Sequence, residues 1–550
     1  MQLPHCQTCL HSQIFIWLRP VSDLDSGVAG SNFYPTQLRS FVNKLHGFSQ
    51  TTVKLTPLSG TLSAGPRQTI TVSLPPNSLI LPESFTMWAR ATTSGNLQNP
   101  VPNLPGTILA AATAATTPTV QLPNNAESLI QSLAITANGQ PLDSGPGNNY
   151  NQLFNLLADV QLGGKKSERA IAQLGADIPS QTWNGPPATV AGPSSSQFGN
   201  NLPVPTIYTG TNFNNPGTPL PNPPAGAGTF NNNNSQCIAL SNWLGMLSST
   251  ELIDTDLLGD VRIAITLADT NVLCIDNYTT DYNTISYALN NLFFTVNTIS
   301  LSPEFYQAQA MFLEKGGVLQ RKMSIWYSFS GAVVQGSKGP LIPIGAAATP
   351  VTGQYAEPNN IPPGMPTQTV NFSLASSSVD LLIGTMLTVP DNTHPWLARY
   401  EQIPGGRDFS LQSVGRGLAF KRPGYHLSSY QFSVNNVTIP NFRVDMNDAW
   451  QHAQIAMGLS NELIQGTDPR INHMDKWTQA FWFCACSLAA LAPADVRLIS
   501  GYDSRGSNAQ FSWDIVGSAN NNFYSARPTV FAKCSSVLRI ARNRNLEVVS

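Results

Sequence analysis

The stretch "SLAITANGQPLDSGPGNNYNQLFNLLADV", Ser132 to Val160, carries two periodicities in succession. Leu133, Ile135 and Ala137 alternate with polar neighbours, as the residues of a half-buried strand do. Asn138-Gly139 follows, a pair that tolerates the positive φ angles of a tight hairpin turn. The apolar positions then change to helical spacing at Tyr150, Leu153, Phe154, Leu157 and Val160. Asn148 or Asn149 is placed to cap this helix, and Gly163-Gly164 to end it.

The same order of elements returns in "LSSYQFSVNNVTIPNFRVDMNDAWQHAQIAMG", which begins at Leu427. Tyr430, Phe432 and Val434 alternate, Asn435-Asn436 supplies the turn, and Trp450, Ala453 and Met457 mark a short helix closed by Gly458. Aligning Ile130 with Leu427 also pairs Leu133 with Tyr430, Ile135 with Phe432, Ala137 with Val434, and one turn with the other. A hairpin pattern can recur by chance. A constant offset across strand and turn is better explained by two copies of one domain, and a chain of 550 residues is long enough to hold them.

Outward from these two units, the chain reads as short strands separated by turn signals. Ile70, Val72 and Leu74 alternate, as do Phe85, Met87 and Trp88 less cleanly, with Pro75-Pro76 and Pro82 as breaks. Val261, Ile263, Ile265 and Leu267 share one face, and so do Leu292, Phe294 and Val296. "SPEFYQAQAMFLEKGG" is a helix with visible punctuation: Ser302 at the cap, Pro303 in the first turn, and Lys315 before Gly316-Gly317. Its Phe305, Ala308 and Phe312 are expected to share a face. Beyond it lie "KMSIWYSFSG", "QTVNFSLASSSVDLLIGTML", "SSYQFSVNNVTI", "WFCACSLAAL", "NAQFSWDIVG" and "TVFAKCSSVLRIARNRNLEVVS". The expected fold class is therefore all-β, built from antiparallel sandwiches with few helices. The expected divisions are an N-terminal arm at 1–49, a first sandwich at 50–301 with long loops at about 91–125 and 178–236, a linker helix at 302–317, and a second sandwich at 318–550.

Composition narrows the partners. Charged residues are 11% of the chain, against roughly 25% in typical soluble proteins, and net charge is −2. No charged residue occurs between Ile178 and Thr250. A chain-wide attraction to nucleic acid or acidic membranes is excluded, while 41% hydrophobic content with 24 Phe and 10 Trp can fill sizeable cores. Seven cysteines are no disulfide framework. Cys484 and Cys486 read as small core residues, and Cys6 and Cys9 with His5 and His11 as part of a mobile arm rather than a zinc site, which needs four fixed ligands. The N-terminus lacks the pattern of a signal peptide. "AFWFCACSLAALA", Ala480 to Ala492, falls short of the roughly 20 residues that span a bilayer.

Taken in order, these segments resemble the double jelly-roll major capsid proteins of polinton-like viruses, adintoviruses and virophages. The residues that carry the resemblance are "ESLIQSLAITANGQPL" with its following helix, "DLLGDVRIAITLADTNVL", "YALNNLFFTVNTISLSPEFY" and "SVLRIARNRNLEVVS". It covers about residues 50–550 and leaves aside the arm and the two long loops. It implies two tandem eight-stranded jelly rolls and a homotrimer of pseudo-hexagonal outline. Such trimers would tile an icosahedral virion capsid assembled inside the host cell. Penton and minor capsid proteins are the further partners it implies.

Enzyme signatures point nowhere, and no catalytic, cofactor-binding or metal residue is assigned. There is no G-x-S-x-G, no H-E-x-x-H, and "DVQLGGKKS" has the wrong order for a phosphate loop. Asp254, Asp256 and Asp260 are spaced like the start of a calcium loop, yet Leu258 stands at a ligand position and no Glu closes it; a capped turn before Val261 is the expectation. Lys533, Arg539, Arg542 and Arg544 read as solvated strand and turn positions rather than a sequence-specific nucleic-acid contact. The alternative function is a glycan-binding or glycan-cleaving β-sandwich, whose hydrolytic form needs two facing carboxylates.

Overall fold

The computed structural model describes residues 49–94, 120–121, 123, 126–161, 211–212, 215–219, 236–249, 252–275, 286–300, 303–334, 342–343, 355–356, 367–388, 402–403, 406–407, 420, 422, 424, 427–446, 448–457, 482–489, 501–506, 509–517, 526–541 and 545–549. The first half supplies eight principal strands: β1 (Ser49–Leu55), β2 (Thr69–Ser73), β3 (Thr86–Ser94), β4 (Ile130–Ala137), β5 (Gln140–Asp143), β6 (Gln236–Leu240), β7 (Val261–Leu267) and β8 (Ser286–Ser300). Helix α1 (Tyr150–Gln161) follows β5, and α2 (Pro303–Glu314) follows β8. The second half repeats the series: β9 (Leu319–Ser330), β10 (Gln368–Ser373), β11 (Val379–Thr388), β12 (Leu427–Val434), β13 (Val437–Asp445), α3 (Ala449–Ala456), β14 (Cys484–Ser487), β15 (Gln510–Gly517) and β16 (Ala526–Ala541). One more strand, β17 (Asn545–Val549), is added on β16.

Strand order is the same in both halves. One sheet of the first half runs β2-β7-β4-β5, and its counterpart runs β10-β15-β12-β13. The other contains β6-β3-β8 with β1 on β8, matched by β14-β11-β16 with β9 on β16. All these pairs are antiparallel, so each half is an eight-stranded jelly roll. The register agrees as well. Ile263 of β7 faces Val72 and Ile135, while Trp513 of β15 faces Val370 and Phe432. Ile135 and Phe432 therefore hold equivalent positions.

Alternation explains the cores. Val261, Ile263, Ile265 and Leu267 are fully buried on β7, as are Leu292, Phe294 and Val296 on β8. In the second half Tyr430, Phe432 and Val434 meet Trp513, Trp482 and Phe511, with Trp482 and Trp513 stacked at 6.3 Å. Cys484, Cys486 and Cys534 are buried here, and burial pushes the Cys486 and Cys534 thiols up to about 12, which fits core residues.

Two expectations change. The supposed loop at 91–125 begins inside β3, because Met87, Ala89 and Ala91 continue the inward alternation with side chains too small to advertise it; Val120–Gln121 forms a further short strand with Cys274–Ile275. Within 178–236, a hairpin joins Thr211–Asn212 to Asn215–Pro219, and β6 starts at Gln236. Helix α2 is formed as expected, but the face that Ala308 and Phe312 share is turned to solvent. Leu313 is the buried residue, while the side chain of Phe305 and the cap at Ser302 lie outside the described residues. Gly163-Gly164 and Gly458 lie outside them too.

Candidate functional site

Helix α1 is apolar on two faces, and that is what joins the halves. Tyr150, Phe154 and Ala158 fill the first core. Leu153, Leu156, Leu157 and Val160 point the other way, onto Trp326 of β9, Ile383 and Leu387 of β11, Ala485 of β14 and Phe531 of β16. Those strands turn Leu382, Met386, Cys484, Val530 and Ala532 into their own sandwich, so the sheet is buried on both faces here. Each Leu-sized side chain removed from water contributes roughly 1.5–3 kcal/mol. Polar stitches flank the joint: Asn149 Nδ2 donates to Ser328 Oγ (3.2 Å), Ser328 Oγ donates to the Pro146 carbonyl (2.8 Å), and Leu244 N donates to Tyr150 Oη (2.8 Å). The chain enters α1 through a single 3-10 turn, Gly147–Asn149. At the far end of the sheet, Met323, Ile325, Leu538 and Ile540 join the first core directly.

The buried carboxylates Asp254 and Asp143 have structural partners. Asp254 caps the short helix Thr255–Leu258 by accepting from Asp256 N and Leu257 N, and its second oxygen accepts from Gln309 Nε2 of α2 (2.9 Å). The capped turn before Val261 is thus present. Asp143 accepts from Gly145 N (2.8 Å) and Met246 N (2.7 Å), and burial raises its pKa despite those bonds. Asp380 accepts from Ser378 Oγ (2.5 Å) and Ser535 Oγ (2.6 Å). Arg422 is fully buried and burial lowers its guanidinium to about 9; it donates to the Phe420 carbonyl at 3.4 Å. No sequence signal pointed to Arg422, since a single Arg in "KRPG" looks like any turn residue.

The basic residues near the C-terminus do not gather. Arg539 faces outward beside Glu547 (3.8 Å). Lys533 is partly buried, and that burial lowers its pKa against the opposing charge of Asp380. Arg542 and Arg544 lie outside the described residues, as do Cys6, Cys9 and every histidine except His452, whose ring packs edge-on to Phe442 at 5.6 Å. Among the described residues, no group of three or more His, Cys, Asp or Glu is placed to hold a metal ion. No helix among them is long and apolar enough to cross a membrane.

An open cleft of about 500 Å³ lies between Arg67, Gln131, Asn148, Asn151, Thr266 and Asp269. Its one carboxylate, Asp269, is ion-paired with Arg67. A hydrolytic pair of carboxylates is not built there.

No protein-family model matches the chain, and no curated protein matches it in sequence. Solved structures resemble it in chain course. PBCV-1 VP54, fitted into a reconstruction of the virophage Sputnik, is 12% identical with a TM-score of 0.49, over 94% of this chain and 100% of that one. The Faustovirus major capsid protein is 10% identical, TM-score 0.48, over 92% of each chain. The mavirus major capsid protein is 10% identical, TM-score 0.41, over 95% of this chain and 94% of that one.

Proposed function

We propose that the chain is a major capsid protein, located in the virion capsid, and that it assembles as a homotrimer into capsomers of an icosahedral shell. The observation that carries this reading is the repeated jelly roll, one strand order used twice and locked side by side by α1. Three such chains offer six near-equivalent sandwiches around one axis, an outline that packs hexagonally. The sequence motifs that resemble double jelly-roll capsid proteins lie on β4, β7, β8 and β16, the strands that define the repeat. A surface poor in charge costs little to desolvate against copies of itself. In this reading residues 50–301 and 318–550 are the two structural units, 302–317 links them, and 1–49 is an arm. Penton and minor capsid proteins are its further partners, and its role is architectural rather than catalytic. Negative-stain imaging of the purified protein tests it: hexagonal particles with a mass near three times 59.2 kDa are expected. Monodisperse monomers at all concentrations would overturn it.

A further inference from the structure

The joint between the halves has two sides, and each side has a counterpart in the other half. On the second half, α1, joined by Trp450 and Ala453 of α3, covers three neighbouring outward residues: Ala485, Ile383 and Phe531, paired across β14, β11 and β16. The equivalent strands of the first half, β6, β3 and β8, pair Ala239, Trp88 and Phe293 in the same order. This second triplet is less covered: Ala239 and Phe293 are half-buried and Trp88 is exposed. Trp88 is 39% exposed where Ile383 is 0%. It is also ordered, with Trp88 stacked on Phe293 at 6.2 Å, Trp88 Nε1 donating to Thr295 Oγ1 (2.9 Å), and Lys54 Nζ 4.4 Å from the Phe293 ring centre.

The helix has a twin as well. Tyr150 opens α1 and Ala449 opens α3, each buried in the core of its own half. Superposing those two residues places His452, Ile455 and Ala456 where α1 has Leu153, Leu156 and Leu157. Leu156 is 0% exposed and Ile455 is 62% exposed. Phe442, 51% exposed, lies against His452 and extends the same surface. Within one chain, Ile455 on α3, Phe442 beside it and Trp88 on the facing patch remain exposed, while their neighbours His452, Ala456, Phe293 and Ala239 are half-buried. Ile455 and Trp88 lie at the positions that the joint already made uses in the other half.

We infer that α3 of one copy docks on the Trp88–Phe293–Ala239 face of a second copy of this chain, repeating between molecules the contact that α1 makes within one. The contact is head to tail: every copy gives one ridge and receives one. Such an interface closes into a ring when its rotation divides a full turn. Apolar residues left in water at both sites are then buried together. The inference rests on the capsomer reading and specifies the surface that holds it together.

Light scattering on the full chain tests it with two variants, Ile455→Glu and Trp88→Glu. Both positions are exposed, and thermal unfolding checks that each variant remains folded; Phe442→Ser and Ala239→Glu serve as replacements for one that does not. Each variant alone should fall to one third of the wild-type mass. An equimolar mixture should form a dimer, because one variant keeps an intact face and the other an intact ridge. If wild type is a trimer and both variants stay trimeric, the surface is wrong and the capsomer reading stands. Monomeric variants that form no dimer on mixing would overturn head-to-tail pairing. A monomeric wild type would overturn both.

Discussion

Asn138 and Asn435 grip the neighbouring strand of their own sandwich in the same way. Asn138 Oδ1 accepts from Asp260 N (3.1 Å) while its own N donates to the Asp260 carbonyl (3.0 Å). Asn435 repeats both bonds with Gln510, at 2.9 and 2.8 Å. Both residues sit at φ 49°, in the left-handed region of a hairpin turn. Asn is the residue that tolerates this φ and also carries a short amide, so one side chain sets the turn and pins it to the strand beside it.

Replacing either Asn by Ala should therefore destabilise the protein by about 1–2 kcal/mol, the net worth of an exposed hydrogen bond plus the strain of Ala at positive φ. The two losses should be similar, since the two bonds are. Replacement by Gly keeps the turn and the backbone bond and loses only the side-chain hydrogen bonds. Urea unfolding of the four variants reads this out, and an unchanged midpoint for Asn435→Ala would remove the equivalence.

Gly259 is tied to the same turn. Its φ is +76°, and a Cβ there would lie 2.5 Å from Asn138 Oδ1. Gly259→Ala should lower the unfolding temperature clearly. Adding Asn138→Gly removes the clashing amide, so the double variant should lose less than the sum of the two single losses. Simple additivity would mean that backbone strain alone is responsible.

In monomeric protein, Leu156→Ala should cost about 2–5 kcal/mol, because it opens a cavity in the joint between the halves. Ile455→Ala should leave monomer stability within about 0.5 kcal/mol, as an exposed position does. Calorimetry of the Leu156 variant should show two transitions in place of one. A single unshifted transition would show that α1 does not couple the sandwiches.

Lys533 gives a pH test. Burial depresses its pKa in the folded state, so its contribution to stability is present above the unfolded value near 10.5 and is lost as pH falls through the folded value. Near neutral pH the partly buried charge is a cost. Lys533→Met should melt higher than wild type at pH 7, and the gap should narrow as pH approaches 10.5. A gap that widens with pH would mean that the charge of Asp380 outweighs desolvation at this site.

Assembly should withstand salt. Exposed ion pairs contribute roughly 0–1 kcal/mol each and are screened beyond about 8–10 Å at physiological ionic strength, whereas apolar burial is not. Light scattering should give the same mass in low salt and in about 1 M sodium chloride. Dissociation on adding salt would assign the interface to the few charges instead.

The repeat was legible because β-strand alternation survives in residues large enough to see. Ile135 and Phe432 announce themselves. Ala89 and Ala91 do not, which is why the end of β3 looked like loop. In α2 the pattern does not tell which apolar residue is buried: Phe312 lies over Gly317, where a Cβ would come within 2.4 Å of its ring, and Leu313 takes the buried position. The double role of α1 was readable in principle, since Leu156 widens the apolar arc of Leu153, Phe154 and Leu157 and confines Asn151, Gln152, Asn155 and Asp159 to one narrow side. An apolar arc that wide must be covered from more than one direction. What covers it comes from strands far along the chain, and no local pattern names them.

That distance has a consequence in time. The first sandwich and its helix are synthesised long before Phe531, which closes over Val160 and Leu157 from roughly 370 residues further on. At about 5–20 residues per second, translation leaves that leucine ridge without its cover for something like 20–70 seconds. Through that interval the nascent chain presents to the crowded cell the surface on which its later stability depends. Slow translation, or a shortage of chaperones, should therefore show up as aggregation of the growing chain well before any shell is built.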